Sequence, residues 1–204
     1  MSTMYTSKRS TSADPTPAQL NPRWTTERCR PRDFPPYFIF FYRDGVGDGD
    51  ISHVMDFEVK KLASDLKRMY GPKPPKLTFI VVSKQINTRF FRKNPRSGVQ
   101  NPPSGTVVDD MITLPERYDF FLVSQSTRSG TISPASYNVI FDESGLSPDR
   151  IQIWTYKMTH LYYNWSGNVK VPAVCQYAQK LALLVGQYIH QDPSNLLETQ
   201  LYFL

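Results

Sequence analysis

The sequence predicts an α/β fold: a parallel βαβ unit, then additional strands, then two C-terminal helices. Three patterns carry that reading. Phe38 to Tyr42 is an unbroken apolar and aromatic run, which favours a buried strand and is too short for a membrane span. From Val54 to Tyr70, apolar residues recur at helical spacing, with Val54, Phe57 or Val59, Leu62, Leu66 and Met69 on one face, and Gly71-Pro72 stops the helix. Leu77 to Val82 is a second continuous apolar run, the composition of a strand covered on both faces. Strand, helix and strand at this spacing make the two strands parallel neighbours.

The first run ends in Arg43-Asp44-Gly45. Gly45 allows a sharp turn. A carboxylate at the carboxyl end of a buried strand stands where open α/β sheets place their chemistry, so Asp44 is a candidate metal ligand. Asp-Gly also caps turns, and on this motif alone the cap is the stronger reading. Beyond the βαβ unit, short strands are expected at 87–91, 105–109, 118–124 and 137–141, with an exposed Pro-containing loop over 94–104. Ser147-Pro148 opens a helix expected to reach about Tyr163, with Ile151, Trp154, Met158 and Leu161 inward. The last helix is expected from Pro172 or Ala173 to His190.

The chain has 204 residues, enough for one ordinary domain. Residues 1–36 are rich in Ser, Thr, Pro and Arg without periodicity and read as a disordered tail before a domain at 37–204. The net charge of +6 suggests an anionic partner only mildly, because half of the excess lies in that tail. Cys29 and Cys175 are the only cysteines, and one lies in the tail, so a reducing compartment is the default. No secretory signal and no apolar run near membrane-span length is visible. The Asp44–Asp50 loop lacks calcium-loop spacing, Gly45-Val46-Gly47 is no dinucleotide fingerprint, and the three histidines lack metal-ligand spacing.

Several stretches in order resemble one family, the Argonaute/Piwi proteins, over residues 37–204. They are Tyr42-Arg43-Asp44-Gly45-Val46, Ile86 to Phe90, Asn101 to Asp109, Tyr118 to Ser126, Gly130-Thr131, Tyr137-Asn138, Leu161 to Trp165, Val171 to Ala173 and Leu201 to Leu204. The details at 87–91, 162–165 and 201–204 resemble the Piwi branch. The resemblance implies the C-terminal portion of an RNase H-like Piwi domain. It further implies small-RNA-guided silencing, with a piRNA guide and a target RNA as partners, proteins of the Piwi pathway as further partners, no membrane, and a cytoplasmic location that can include perinuclear granules or the nucleus. Competent members cut RNA with two Mg²⁺ ions held by carboxylates.

By that resemblance Asp44 matches the second catalytic Asp, and Gln179, in Tyr177-Ala178-Gln179-Lys180, stands where Piwi proteins carry a histidine. The first Asp and the Glu have no counterpart, since Asp14, Glu27 and Asp33 lie in the Pro-broken tail. A glutamine carbonyl offers neither imidazole nitrogen nor charge, so this chain is expected not to bind Mg²⁺ productively and not to cleave. Alternatives are a slicer whose ligands come from missing sequence or another chain, and a partial gene product with no independent role. The RNA-facing positions implied by the family are Lys84, Asn87, Thr88, Arg89, Gln125 with Ser126, Tyr162, Lys170 and Gln176. The Leu204 carboxylate would bind a metal only in a completed 5′-phosphate pocket. With the RNase H strands before residue 37 absent, the first parallel strand is expected to present an open edge.

Overall fold

A computed structural model describes residues 3–8, 36–96, 98–114, 116–191, 194–197 and 200–203. Asp14, Glu27, Cys29, Asp33 and Leu204 lie outside the described residues. A six-stranded mixed sheet runs in the order β1-β2-β3-β8-β7-β6. Its strands are β1 (Thr3–Lys8), β2 (Phe38–Asp44), β3 (Lys76–Ser83), β6 (Thr106–Val108), β7 (Asp119–Val123) and β8 (Ala135–Asp142). β4 (Arg92–Asn94) and β5 (Gly98–Gln100) form a separate hairpin.

β2 and β3 pair in parallel, with Phe38 opposite Lys76 and Asp44 opposite Val82, as the βαβ reading requires. The connection is one helical run: a 3₁₀ turn at Asp48–Asp50, an α-turn at Ile51–His53, a π-helical stretch at Val54–Val59, and α1 (Lys60–Tyr70). Of the two residues that could share the inner face, Val59 is buried and Phe57 is 63% exposed. Both faces of β2 and β3 are covered. Ile39, Phe41, Leu77, Phe79 and Val81 pack against Val54, Val59, Leu62 and Leu66. Phe40, Tyr42, Ile80 and Val82 pack on the other face with Phe120, Leu122, Tyr137, Ile151 and Cys175. That second face is closed by α2 (Pro148–Met158) and α3 (Ala173–Leu183). Two-sided burial explains why both strands read as continuous apolar runs.

Several boundaries differ from expectation. Thr3–Lys8, which the composition assigns to an irregular tail, pairs in parallel with β2 from Thr3 opposite Ile39 to Lys8 opposite Asp44. An unpaired β2 edge would leave a row of amide and carbonyl groups without partners, and β1 supplies them, so the expected open edge at β2 is covered. The segment 87–91 is irregular, and a hairpin occupies part of the expected 94–104 loop. α2 ends at Met158 rather than near Tyr163, which leaves Leu161 58% exposed. α3 passes at Leu183 into a π-helical stretch, Leu184–Ile189. Among the described residues, no helix is long and apolar enough to cross a membrane.

Phe79 is fully buried and stacks on Phe41 with ring centroids 4.7 Å apart. Phe79→Ala should cost about 3–5 kcal/mol of unfolding free energy. Phe57→Ala, on the exposed side of the same layer, should change it by less than about 1 kcal/mol. Urea denaturation of both variants compares them directly.

Candidate functional site

The strand period alone puts two opposite charges on opposite sides of the sheet. Residues alternate faces along β2, so Arg43 projects toward the helical run and Asp44 toward α3. Arg43 is clamped there: Nε donates to Glu58 Oε2 at 2.8 Å, and its two terminal nitrogens donate to Glu58 Oε1 at 3.2 Å and to the Asp44 carbonyl at 2.9 Å. This fork fixes the end of β2 and with it the Asp44 side chain. Gly45 follows with φ 79°, a conformation open to glycine, and turns the chain away.

On the α3 face, Asp44 is 5% exposed. Lys84 follows β3 by one residue and shares the parity of Val82, the partner of Asp44. Its ammonium lies 2.5 Å from Asp44 Oδ2 and donates to Gln179 Oε1 at 3.0 Å. Beyond this ion pair, Oδ2 has no aligned hydrogen-bond partner. Gln179 reaches the site because α3 lies across the sheet with Cys175, one turn earlier, in the core. The structure thus brings Asp44, Lys84 and Gln179 together.

Lys170 belongs to the same assembly. It donates to the Lys84 carbonyl at 2.7 Å and to Ser133 Oγ at 2.9 Å. Its backbone carbonyl accepts from Ser124 Oγ at 2.8 Å, and Gln125 Nε2 donates to the Asn168 carbonyl at 3.0 Å. Asn168 Nδ2 donates in turn to Ser104 Oγ at 3.1 Å and to the Ser124 carbonyl at 3.0 Å, and Ser104 Oγ donates to that same carbonyl. These bonds bind the segment before α3 to the ends of β3 and β7. Gly105, with φ 89°, lets that corner close, because a Cβ there would lie 3.2 Å from the Tyr156 ring.

The remaining candidates are more scattered. Asn87 and Arg89 are exposed and Thr88 is half-buried. One Arg89 nitrogen donates to the Ile86 and Thr88 carbonyls at 2.7 and 2.8 Å, while Phe90 packs edge-on against Phe121. The 86–91 segment is therefore a shaped loop rather than a strand. Ser126 is exposed and Gln176 half-buried. Tyr162 packs against Tyr177 with centroids 5.1 Å apart. The Tyr177 hydroxyl also accepts from the Tyr163 amide at 2.7 Å, so Tyr177, which in the sequence figures only as a neighbour of Gln179, anchors the 161–165 loop. Its position on α3 two residues before Gln179 was the available signal.

The electrostatics follow from burial. Lys170 is held below the usual lysine value, first by burial and then by the charges of Arg89 and Lys84. Cys175 is pushed up by burial and by Asp44, with Lys84 opposing, so its thiol stays protonated and unreactive. Tyr42 is also pushed up by burial, against the hydrogen bond its hydroxyl shares with Thr155 Oγ1 at 3.0 Å.

Mg²⁺ asks for several oxygen ligands, usually including carboxylates, in near-octahedral array. The donors at this point are one carboxylate and one amide oxygen, with an ammonium between them. Among the described residues, no group of three or more His, Cys, Asp or Glu side chains could hold a metal ion. Among the described residues, the donors at this point do not fit the ion.

The chain is similar to known proteins over most of its length. The Piwi domain family matches residues 30–190. Protein piwi of Drosophila melanogaster is 56% identical over 172 residues, covering 83% of this chain and 20% of that protein. The crystal structure of Drosophila Piwi superposes with a TM-score of 0.75 at 56% identity, over 83% of this chain and 23% of the other. The crystal structure of Kluyveromyces polysporus Argonaute with a guide RNA does so with 0.70 at 25% identity, over 83% and 23%. The chain thus spans about a fifth of the length of the relatives it matches.

Two outcomes test the site's energetics. The lowered Lys170 value penalises the folded state wherever that lysine is charged. The unfolded chain keeps the ordinary affinity for the proton, so this penalty is full below the folded value and vanishes as pH rises toward the ordinary lysine value. Stability should gain with pH across that window, and Lys170→Met should remove the gain, as read from urea midpoints at neutral and alkaline pH. Tyr42→Phe, which leaves Thr155 without its partner, should cost about 1 kcal/mol in the same assay.

Proposed function

The chain belongs to the Piwi-domain family, and from that premise we propose that it acts in small-RNA-guided silencing by binding RNA without cutting it. Its fold is the C-terminal portion of an RNase H-like Piwi domain, and its relatives include Piwi-subfamily proteins. RNase H-like Piwi domains are an endonuclease fold, so the binding reading rests on this chain's own residues. The observation that carries it is the Asp44 pocket, where a lysine ammonium and Gln179 stand around the family's aspartate. RNA is held by phosphate contacts, which position a strand without reading its sequence. Arg89 and Asn87 offer exposed donors for this, backed by the charges of Lys84 and Lys170. The partners are a guide small RNA of the piRNA class and its target, with Piwi-pathway proteins as further partners, and the location is cytoplasmic.

A second reading takes the chain as part of a slicer whose metal ligands come from elsewhere, and the fraction of its relatives' length that it spans supports it. In that case Gln179→His should raise Mg²⁺-dependent cleavage of a guide-paired RNA.

The deciding experiment measures a fluorescent single-stranded RNA by anisotropy and by gel. Binding without Mg²⁺-dependent cutting is expected, and Arg89→Ala should weaken it roughly threefold to tenfold and lower the salt slope by about one. Cleavage abolished by Asp44→Ala would overturn the reading.

A further inference from the structure

We propose that the Lys84 ammonium is the resident cation of the Asp44 pocket, neutralising that carboxylate and keeping divalent cations out. A buried carboxylate needs a compensating charge. That charge can come from an ion in solution or from a side chain. Here Lys84 Nζ makes two contacts at once, 2.5 Å to Asp44 Oδ2 and 3.0 Å to Gln179 Oε1. Those two oxygens are the atoms a divalent ion at this point would have to use, and the ammonium stands between them.

Lys84 is also held from behind. Lys170 donates to the Lys84 backbone carbonyl at 2.7 Å and to Ser133 at 2.9 Å, which ties the residue after β3 to the segment before α3. Arg43, bridged to Glu58, holds the Asp44 carbonyl from the opposite face. The carboxylate and the ammonium are therefore both anchored through their own backbones. An incoming divalent ion would have to expel the ammonium and then sit near Lys170 and Arg89, whose charges already act on one another. The amide at Gln179 suits the ammonium, because its carbonyl accepts one of the three N–H groups and brings no charge of its own. This role is separate from RNA binding and is read without RNA.

The test titrates Mn²⁺ into the full 204-residue chain and follows free Mn²⁺ by electron paramagnetic resonance, with the unfolding temperature alongside. The wild type should show no Asp44-dependent site and no thermal shift. Lys84→Met, which keeps the apolar stem and removes the charge, should bind one Mn²⁺ about tenfold or more tighter than the wild type and be stabilised by it. Adding Asp44→Asn to that variant should abolish the gain, and Lys84→Arg, which keeps a cation, should behave as the wild type. If Lys84→Met loses the native circular-dichroism spectrum, Lys84→Gln takes its place. Asp44-dependent Mn²⁺ binding as tight in the wild type as in the neutral variant overturns the proposal. So does a folded neutral variant that gains nothing.

Discussion

The parallel pairing of β2 with β3 is the constraint on which everything else rests. It sets Asp44 beside Val82 and thereby puts the residue two positions later, Lys84, on the same face. Covering both faces then assigns each end residue a surrounding. Arg43 falls among the residues of the helical run and finds Glu58. Asp44 falls under α3 and finds Lys84 and Gln179. A shift of one residue in this register would exchange the two faces, put the carboxylate under the helical run and leave both charges without partners. The register is therefore held by the apolar residues of both layers at once, and the polar site follows from it at little additional cost.

The site is rigid because its backbone polar groups are tied as well as its charges. The segment 168–170 makes no regular element, yet its carbonyls accept from Gln125 and Ser124, and Asn168 donates back to Ser104 and the Ser124 carbonyl. A loop so bonded can carry Lys170 to a fixed place at the entrance of α3. Tyr177 does the same for the 161–165 loop through its hydroxyl. The exposed groups, Asn87 and Arg89, sit instead on a loop pinned by Phe90 against Phe121. The result is an inner, self-paired set of charges and an outer set open to solvent.

The βαβ unit and its two-sided burial were legible because both strands are long apolar runs, and helix periodicity between them is strong. Asp44 and Gln179 were singled out through family resemblance, which says what residues correspond but not what a neighbouring side chain does. Lys84 illustrates the gap. In the sequence it read as an RNA contact beside Asn87, Thr88 and Arg89. Strand parity carried the further information, since Lys84 follows a strand whose partner ends in Asp44. The pairing of β1 was not legible, because Thr3–Lys8 is a polar segment whose pairing is expressed in backbone hydrogen bonds rather than in a pattern of side chains. The hairpin at 92–100 was missed for a related reason: its residues are largely exposed, so no buried alternation marks them. The early end of α2 shows the opposite error, in which Leu161 fits the helical spacing but lies past the point where the Thr159 and His160 amides turn back to α2 carbonyls.

The Asp44 pocket joins these threads. An aspartate at the end of a covered strand is costly without a cation, and the same burial that makes it costly also strengthens whatever neutralises it. A lysine from the adjacent parallel strand can do this only if the partner across the pocket is neutral and accepts a hydrogen bond, as the Gln179 amide does. A second carboxylate there would leave the ammonium outnumbered and restore the demand for a metal ion. The identity of residue 179 and the position of Lys84 are thus parts of one electrostatic solution. The aspartate ties the end of β2 to Lys84, and Lys84 in turn ties the end of β3 to Gln179 on α3.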